Sequence, residues 1–70
     1  MTDTKELRRR IEKSGYKYKF LAQELGISAY TLQLKINNNR EFKVSEVDAL
    51  ALLLGLTLKE KDLIFFAKTV

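Results

Sequence analysis

Few residues of this chain can do covalent chemistry. Histidine and cysteine are both absent. Nucleophilic catalysis by Ser-His-Asp or Cys-His groups is therefore closed to it, and so are disulfides and thiolate reactions. Zinc sites draw on the same missing ligands. Glu46 and Asp48 are the nearest thing to paired catalytic acids. They stand where a helix begins, so they are read as first-turn acids that complement the helix dipole. The residues point to a binding protein, with no enzymatic activity, no metal, no cofactor and no small-molecule substrate.

The groups left for binding are ionic and hydrogen-bonding. The chain of 70 residues carries 13 Lys and Arg against 9 Asp and Glu, a net charge of +4. Residues 1–35 hold eight of the basic residues and four of the acidic ones, so the whole excess lies in that half. A partner drawn by charge should meet the first half and the loops near it. The length allows one domain, residues 1–70, with a small core. No apolar run is long enough for a transmembrane helix, and Met1 to Lys13 is too polar for a secretory signal. The expectation is a cytoplasmic, mildly basic domain.

The elements that position these groups are expected to be helices. Proline is missing, and no stretch alternates as a strand would. The first helix is expected over about Thr4 to Lys13, with Leu7 and Ile11 inward and Gly15 as its cap. The second is expected from Lys17 to Leu25, stopped by Gly26. The third starts at Ser28, a good N-cap, and runs to about Asn37 with Leu32 and Ile36 inward. A fourth is expected to begin at Ser45, with Asp48 completing a capping box. Its Val47, Leu50, Ala51 and Leu54 form an apolar stripe. The fifth begins at Thr57 or Leu58 and carries a second capping box, Thr57 with Glu60. Ala67 to Val70 is read as a frayed tail.

One segment stands above this background, Phe20-Leu21-Ala22-Gln23-Glu24-Leu25-Gly26-Ile27-Ser28-Ala29-Tyr30-Thr31-Leu32. Ala22 is small enough for two helices to cross closely. Gly26 permits the positive φ of a sharp turn. Leu21, Leu25, Ile27 and Leu32 fill the wedge. This is a helix-turn-helix unit over about residues 17–37, a motif whose second helix enters the DNA major groove. The chain resembles the Cro/phage-repressor helix-turn-helix family, also called the XRE family, and within it the small prophage Cro-like regulators of Gram-positive bacteria. The matching residues are Leu21-Ala22-x-x-Leu25-Gly26-Ile27-Ser28, Thr31-Leu32 and Lys35-Ile36-Asn37. Further matches are Glu41-Phe42, Ser45-Glu46-Val47, Leu54-Gly55-Leu56-Thr57 and Ile64-Phe65-Phe66. The resemblance implies an all-α, five-helix bundle of the lambda-repressor-like type. It also implies a repressor that acts as a homodimer on a palindromic, double-stranded DNA operator.

By position in that family, Ala29, Tyr30, Gln33 and Leu34 are the base readers. Gln33 has the amide suited to adenine, and Ala29 and Leu34 can pack on thymine methyl groups. Tyr30 can stack on sugar or reach a phosphate, or lie partly buried on the helix surface. Phosphate contacts need only charge and donors. They are expected from Lys17, Tyr18, Lys19, Ser28, Lys35, Asn37, Asn38, Asn39, Arg40 and Lys43. The family often has a Thr or Ser cap where Lys17 stands and an amide where Tyr18 stands. The three asparagines read equally well as turn chemistry. The Arg8-Arg9-Arg10 run is read as a solvated helix surface.

Leu58, Leu63, Ile64, Phe65 and Phe66 are more apolar side chains than one face of a short helix can bury. Some are expected in the core and some at a dimer interface. A twofold dimer would set its recognition helices about 34 Å apart. The competing reading is a helix-turn-helix fold that binds another protein, such as an antirepressor, through Ala29, Tyr30 and Leu34. A Lys35→Glu change is expected to separate the two by abolishing DNA binding alone. Membrane-surface association through the first helix lacks the necessary apolar face.

Overall fold

The computed structural model describes residues 1–67. Its helices are α1 (Thr4–Ser14), α2 (Tyr18–Leu25), α3 (Ala29–Ile36), α4 (Val44–Leu54) and α5 (Leu58–Phe65). The five expected helices appear in the expected order, and no strand occurs among the described residues. Residues 68–70, most of the expected frayed tail, lie outside the described residues.

The helix boundaries have local causes. Asp3 opens α1 by accepting from the Glu6 backbone N–H at 3.1 Å, an N-cap that satisfies one orphan donor. Thr57 and Glu60 form the expected reciprocal box on α5: Thr57 Oγ1 accepts from the Glu60 N–H at 3.1 Å, and Glu60 Oε1 accepts from the Thr57 N–H at 2.8 Å. The start of α4 differs from expectation. Lys43, not Ser45, is its N-cap. Glu46, not Asp48, closes the turn by accepting from the Lys43 N–H at 2.8 Å. A lysine side chain has no acceptor, so only this return half of a capping box forms.

Leu7, Ile11, Leu21, Ala22, Leu32, Ile36, Val47, Leu50, Ile64 and Phe65 make one buried cluster to which all five helices contribute. Phe42, on the loop before α4, meets Phe65 edge-on with ring centroids 5.4 Å apart. Tyr18, Leu25, Ile27, Leu53, Leu54 and Leu56 pack around this cluster.

The chain start is tied down at two places. The Asp3 N–H donates to the Ile64 carbonyl at 2.7 Å, joining it to α5. The Thr2 N–H donates to Asn38 Oδ1 and the Thr2 carbonyl accepts from Asn38 Nδ2, both at 2.8 Å. Asn38 takes φ +64°, the left-handed region that asparagine tolerates better than most residues.

Helix α1 carries ion pairs on the side facing α5. Glu6 accepts from Arg9 at 2.7 Å and from Arg10 at 2.9 Å, and Arg10 also reaches Glu60 at 2.9 Å. The Arg9 and Arg10 hydrogen bonds hold the Glu6 carboxyl down at about 2. The Thr57 N–H and then Arg10 lower Glu60. No described helix is long and apolar enough to cross a membrane.

Candidate nucleic-acid interface

Helices α2 and α3 are joined by three residues, Gly26-Ile27-Ser28. Gly26 takes φ +73°, which a side chain would strain. The Ile27 N–H then donates back to the Ala22 carbonyl at 3.0 Å, closing the end of α2. Ser28 starts α3 as its N-cap, and its Oγ accepts from the Thr31 N–H at 3.0 Å. Its own proton goes to Thr31 Oγ1 at 2.9 Å. What α3 offers an anion at this end is therefore the backbone N–H groups of Ala29 and Tyr30, which lack partners within the helix. Lys17 caps α2 without a side-chain hydrogen bond, so the first N–H groups of that helix have no side-chain acceptor from Lys17.

The expected base readers fall into two groups. Ala29 and Tyr30 are exposed, Tyr30 by 73%, and Gln33 and Leu34 are half-buried. At 100° per residue, Tyr30, Gln33, Leu34 and Asn37 share the face of α3 opposite Leu32 and Ile36. The ring of Tyr30 is a projecting side chain, not a partly buried one.

The expected phosphate set divides more sharply. Lys17, Lys19, Asn39, Arg40 and Lys43 are exposed, and none of these cationic side chains belongs to an ion pair among the described residues. Tyr18 is half-buried against the core. Asn37 is exposed, and its Oδ1 accepts from Arg8 at 2.6 Å. Asn38 spends both amide protons within the fold, on the Thr2 carbonyl and on Thr4 Oγ1 at 3.3 Å. Its role is the turn chemistry and not the backbone tracking.

Lys35 is the clear correction. It is 6% exposed, and its Nζ donates to Glu46 Oε1 on α4, itself 5% exposed. The ammonium group is held inside the protein and does not face a ligand. Burial alone would raise the Glu46 carboxyl, but the hydrogen bonds from Lys35 and the Lys43 N–H outweigh it and lower the pKa. The Lys35→Glu change would put two carboxylates in one buried site and unfold the domain, so it cannot separate the two binding readings.

At the far end, the five apolar residues also separate. Ile64 and Phe65 are core residues, 2% and 4% exposed, and not interface residues. They lie on the inward face of α5. Leu58, Leu63 and Phe66 are 78%, 63% and 54% exposed.

Arg8 is the functional candidate that the sequence reading missed. Its guanidinium reaches across from α1 to Gln33 Oε1 at 3.2 Å as well as to Asn37, and lies 3.5 Å from the Tyr18 hydroxyl. It thereby gathers side chains of α2 and α3 on the outward face of the recognition helix. The signal was in the register. Taking Leu7 and Ile11 as inward, Arg8 and Arg10 lie about 80° to either side of that face, and Arg9 lies opposite it.

The fold and this arrangement define a helix-turn-helix domain with an exposed α3 face and unpaired cations on α2 and the α3–α4 loop. The family model for the Cro/C1-type HTH DNA-binding domain matches residues 6–64. The chain belongs to this family, and it is a DNA-binding regulator. Comparison with curated proteins and with solved structures gave no match.

Proposed function

We propose that the protein is a sequence-specific repressor of the prophage Cro-like kind, acting in the cytoplasm as a homodimer on a palindromic operator. The observation that carries this reading is the outward face of α3. Tyr30 is exposed there and Gln33 is half-buried one turn on, at the helix end where the Ser28 cap leaves the Ala29 and Tyr30 N–H groups free, and Lys17, Lys19, Arg40 and Lys43 are exposed on the segments before and after α3. Ala29, Tyr30, Gln33 and Leu34 read base edges. Lys17, Lys19, Arg40 and Lys43, with Asn37 and Asn39, follow the phosphates. Tyr18 and Ser28 contribute their positions at the two helix starts.

Dimerisation uses the opposite end. Leu63 and Phe66 line one groove with Asp3, Glu6, Arg10 and Glu60. Two exposed large apolar residues on one groove of so small a domain support an interface between copies. Leu58 extends the same helix. A dimer doubles the number of phosphate contacts, which a single subunit of modest charge needs.

The experiment is selection from a random duplex DNA library, followed by gel shifts of the winning sequence at two salt concentrations. A palindromic consensus whose binding falls steeply with salt is the expected result, because each neutralised phosphate releases counterions. A library that yields no consensus, together with a protein partner retained at high salt, overturns it in favour of the protein-interaction reading.

A further inference from the structure

We infer that Arg8, on α1, is a positioning residue for base recognition, fixing which way round the Gln33 amide faces the DNA. The inference rests on the DNA-binding reading and adds to it a specific consequence for one base position. Arg8 Nη2 lies 3.2 Å from Gln33 Oε1 and 2.6 Å from Asn37 Oδ1. A guanidinium is donor-only. The Gln33 atom turned toward it must therefore be the carbonyl oxygen, and the Nε2 donors are turned away. The same guanidinium holds Asn37, one helical turn on, by its oxygen. Without Arg8, Gln33 is a flexible side chain on a helix surface with two equivalent amide orientations.

This fixed orientation has a chemical consequence. The leading group of Gln33 is an N–H donor, and it suits a base that presents an acceptor in the major groove. Both purines do so through N7, guanine adds O6, and thymine presents O4. Cytosine presents only the N4 amino donor there, which needs the amide reversed. Reversal would press the Gln33 NH2 against the Arg8 guanidinium and strand two sets of donors face to face. The oxygen keeps a second lone pair, so adenine can still be bound through N6 and N7 together. Arg8 thus selects against cytosine at the Gln33 position without itself touching a base.

The test compares library selection by the wild-type protein with selection by Arg8→Met, Arg8→Lys and Gln33→Ala. Far-UV circular dichroism melts confirm that each variant is folded. Gln33→Ala identifies the position read by Gln33 as the one whose preference disappears. The wild type should favour the acceptor-bearing bases over cytosine there by about tenfold, the order of one good base contact. Arg8→Met should flatten that preference about threefold or more, admit cytosine, and leave the other positions unchanged. Arg8→Lys keeps the charge without the fork and should give partial rescue. A uniform loss of affinity with unchanged preference at every position would make Arg8 a phosphate contact and overturn the inference. Cytosine preferred by the wild type at the Gln33 position would also overturn it. Failure to select any consensus would instead defeat the DNA-binding reading and this inference with it.

Discussion

Lys35 and Glu46 offer the sharpest measurement. Their side chains are 7% and 6% exposed, and Glu46 also takes the Lys43 N–H at the start of α4. Removing one member of such a pair leaves an uncompensated buried charge, at a cost of about 3–5 kcal/mol. A chain of 70 residues holds about 4–10 kcal/mol in total, taking about 0.05–0.15 kcal/mol per residue. Lys35→Met should therefore take away from about a third to all of the stability. In urea, with a slope of about 1 kcal/mol/M, the midpoint should fall by about 3–5 M, or folding should be lost outright. The double variant Lys35→Met/Glu46→Gln keeps an oxygen for the Lys43 N–H and carries no charge. It should recover most of the loss.

Two further readouts follow from the same site. In the wild type, Glu46 has a lowered pKa, so its contribution is present above the unfolded pKa and fades as pH falls through the folded one. In Lys35→Met burial dominates and the carboxyl rises. That group then destabilises above the unfolded pKa, and the cost of the mutation shrinks as the solution is acidified. Equilibrium urea unfolding at several pH values measures this. The double variant should also bind operator DNA with an unchanged slope of log K against log salt, whereas Lys19→Ala should reduce the slope by about 0.9 for each phosphate it no longer neutralises. A single-variant cost below about 1 kcal/mol, or a double variant no better than the single, would refute the buried-pair reasoning. A reduced salt slope in the folded double variant would return Lys35 to the phosphate set.

Gly26→Ala should cost about 1–2 kcal/mol in urea unfolding, because φ +73° is the penalty and the space for a Cβ is open. Acid titration followed by circular dichroism should show stability falling between pH 4.5 and about 2, since Glu6 drops from its ordinary value of 4.5 to about 2 beside Arg9 and Arg10. The sign is that of a depressed carboxyl, stabilising above its unfolded pKa and no longer so below its folded one. A profile flat down to pH 2 contradicts it. Leu63→Lys with Phe66→Lys should leave the domain folded, because both side chains are exposed, and should give a monomer in sedimentation velocity at concentrations where the wild type sediments as the proposed dimer. An unaltered dimer would move the interface elsewhere on the surface.

The elements of this fold are legible because their signals are local. Leu7 with Ile11, and Leu32 with Ile36, each recur at helical spacing and each pair is buried. The Thr57–Glu60 box lies within one turn, and so does the Ser28 cap. The start of α4 falls two residues before its expected place: Ser45 and Asp48 fit the capping pattern in sequence, whereas Lys43 lacks an acceptor and shows only the Glu46 half of it. Only the position of Lys35, eleven residues earlier, decides between them, by drawing Glu46 inward. The site is less legible for the same reason. A lysine on a recognition helix looks identical in sequence whether it meets a phosphate or a buried glutamate. Asn38 is open in the same way until Thr2, 36 residues away, occupies both sides of its amide.

The charge pattern gains a physical meaning once these pairs are known. The first-half excess of +4 placed a charged partner against that half and the loops near it. The fold instead divides its cations by partner. Arg9 is spent on Glu6 within α1, Arg10 on Glu6 and on Glu60, where it fastens α1 to α5, and Lys61 on Asp48 between α4 and α5. Lys35 holds α3 to α4. Among the described residues Lys17, Lys19, Arg40 and Lys43, on the helix-turn-helix and the loop that follows it, belong to no ion pair, and neither do Lys5, Lys13 and Lys59 elsewhere. The arginines flanking the buried face of α1 then have opposite tasks set by register alone. Arg10 meets carboxylates and is neutralised. Arg8 meets only neutral oxygens, those of Gln33 and Asn37 on α3. Local attraction for phosphate thus depends on where acids are withheld, more than on how many bases the chain contains.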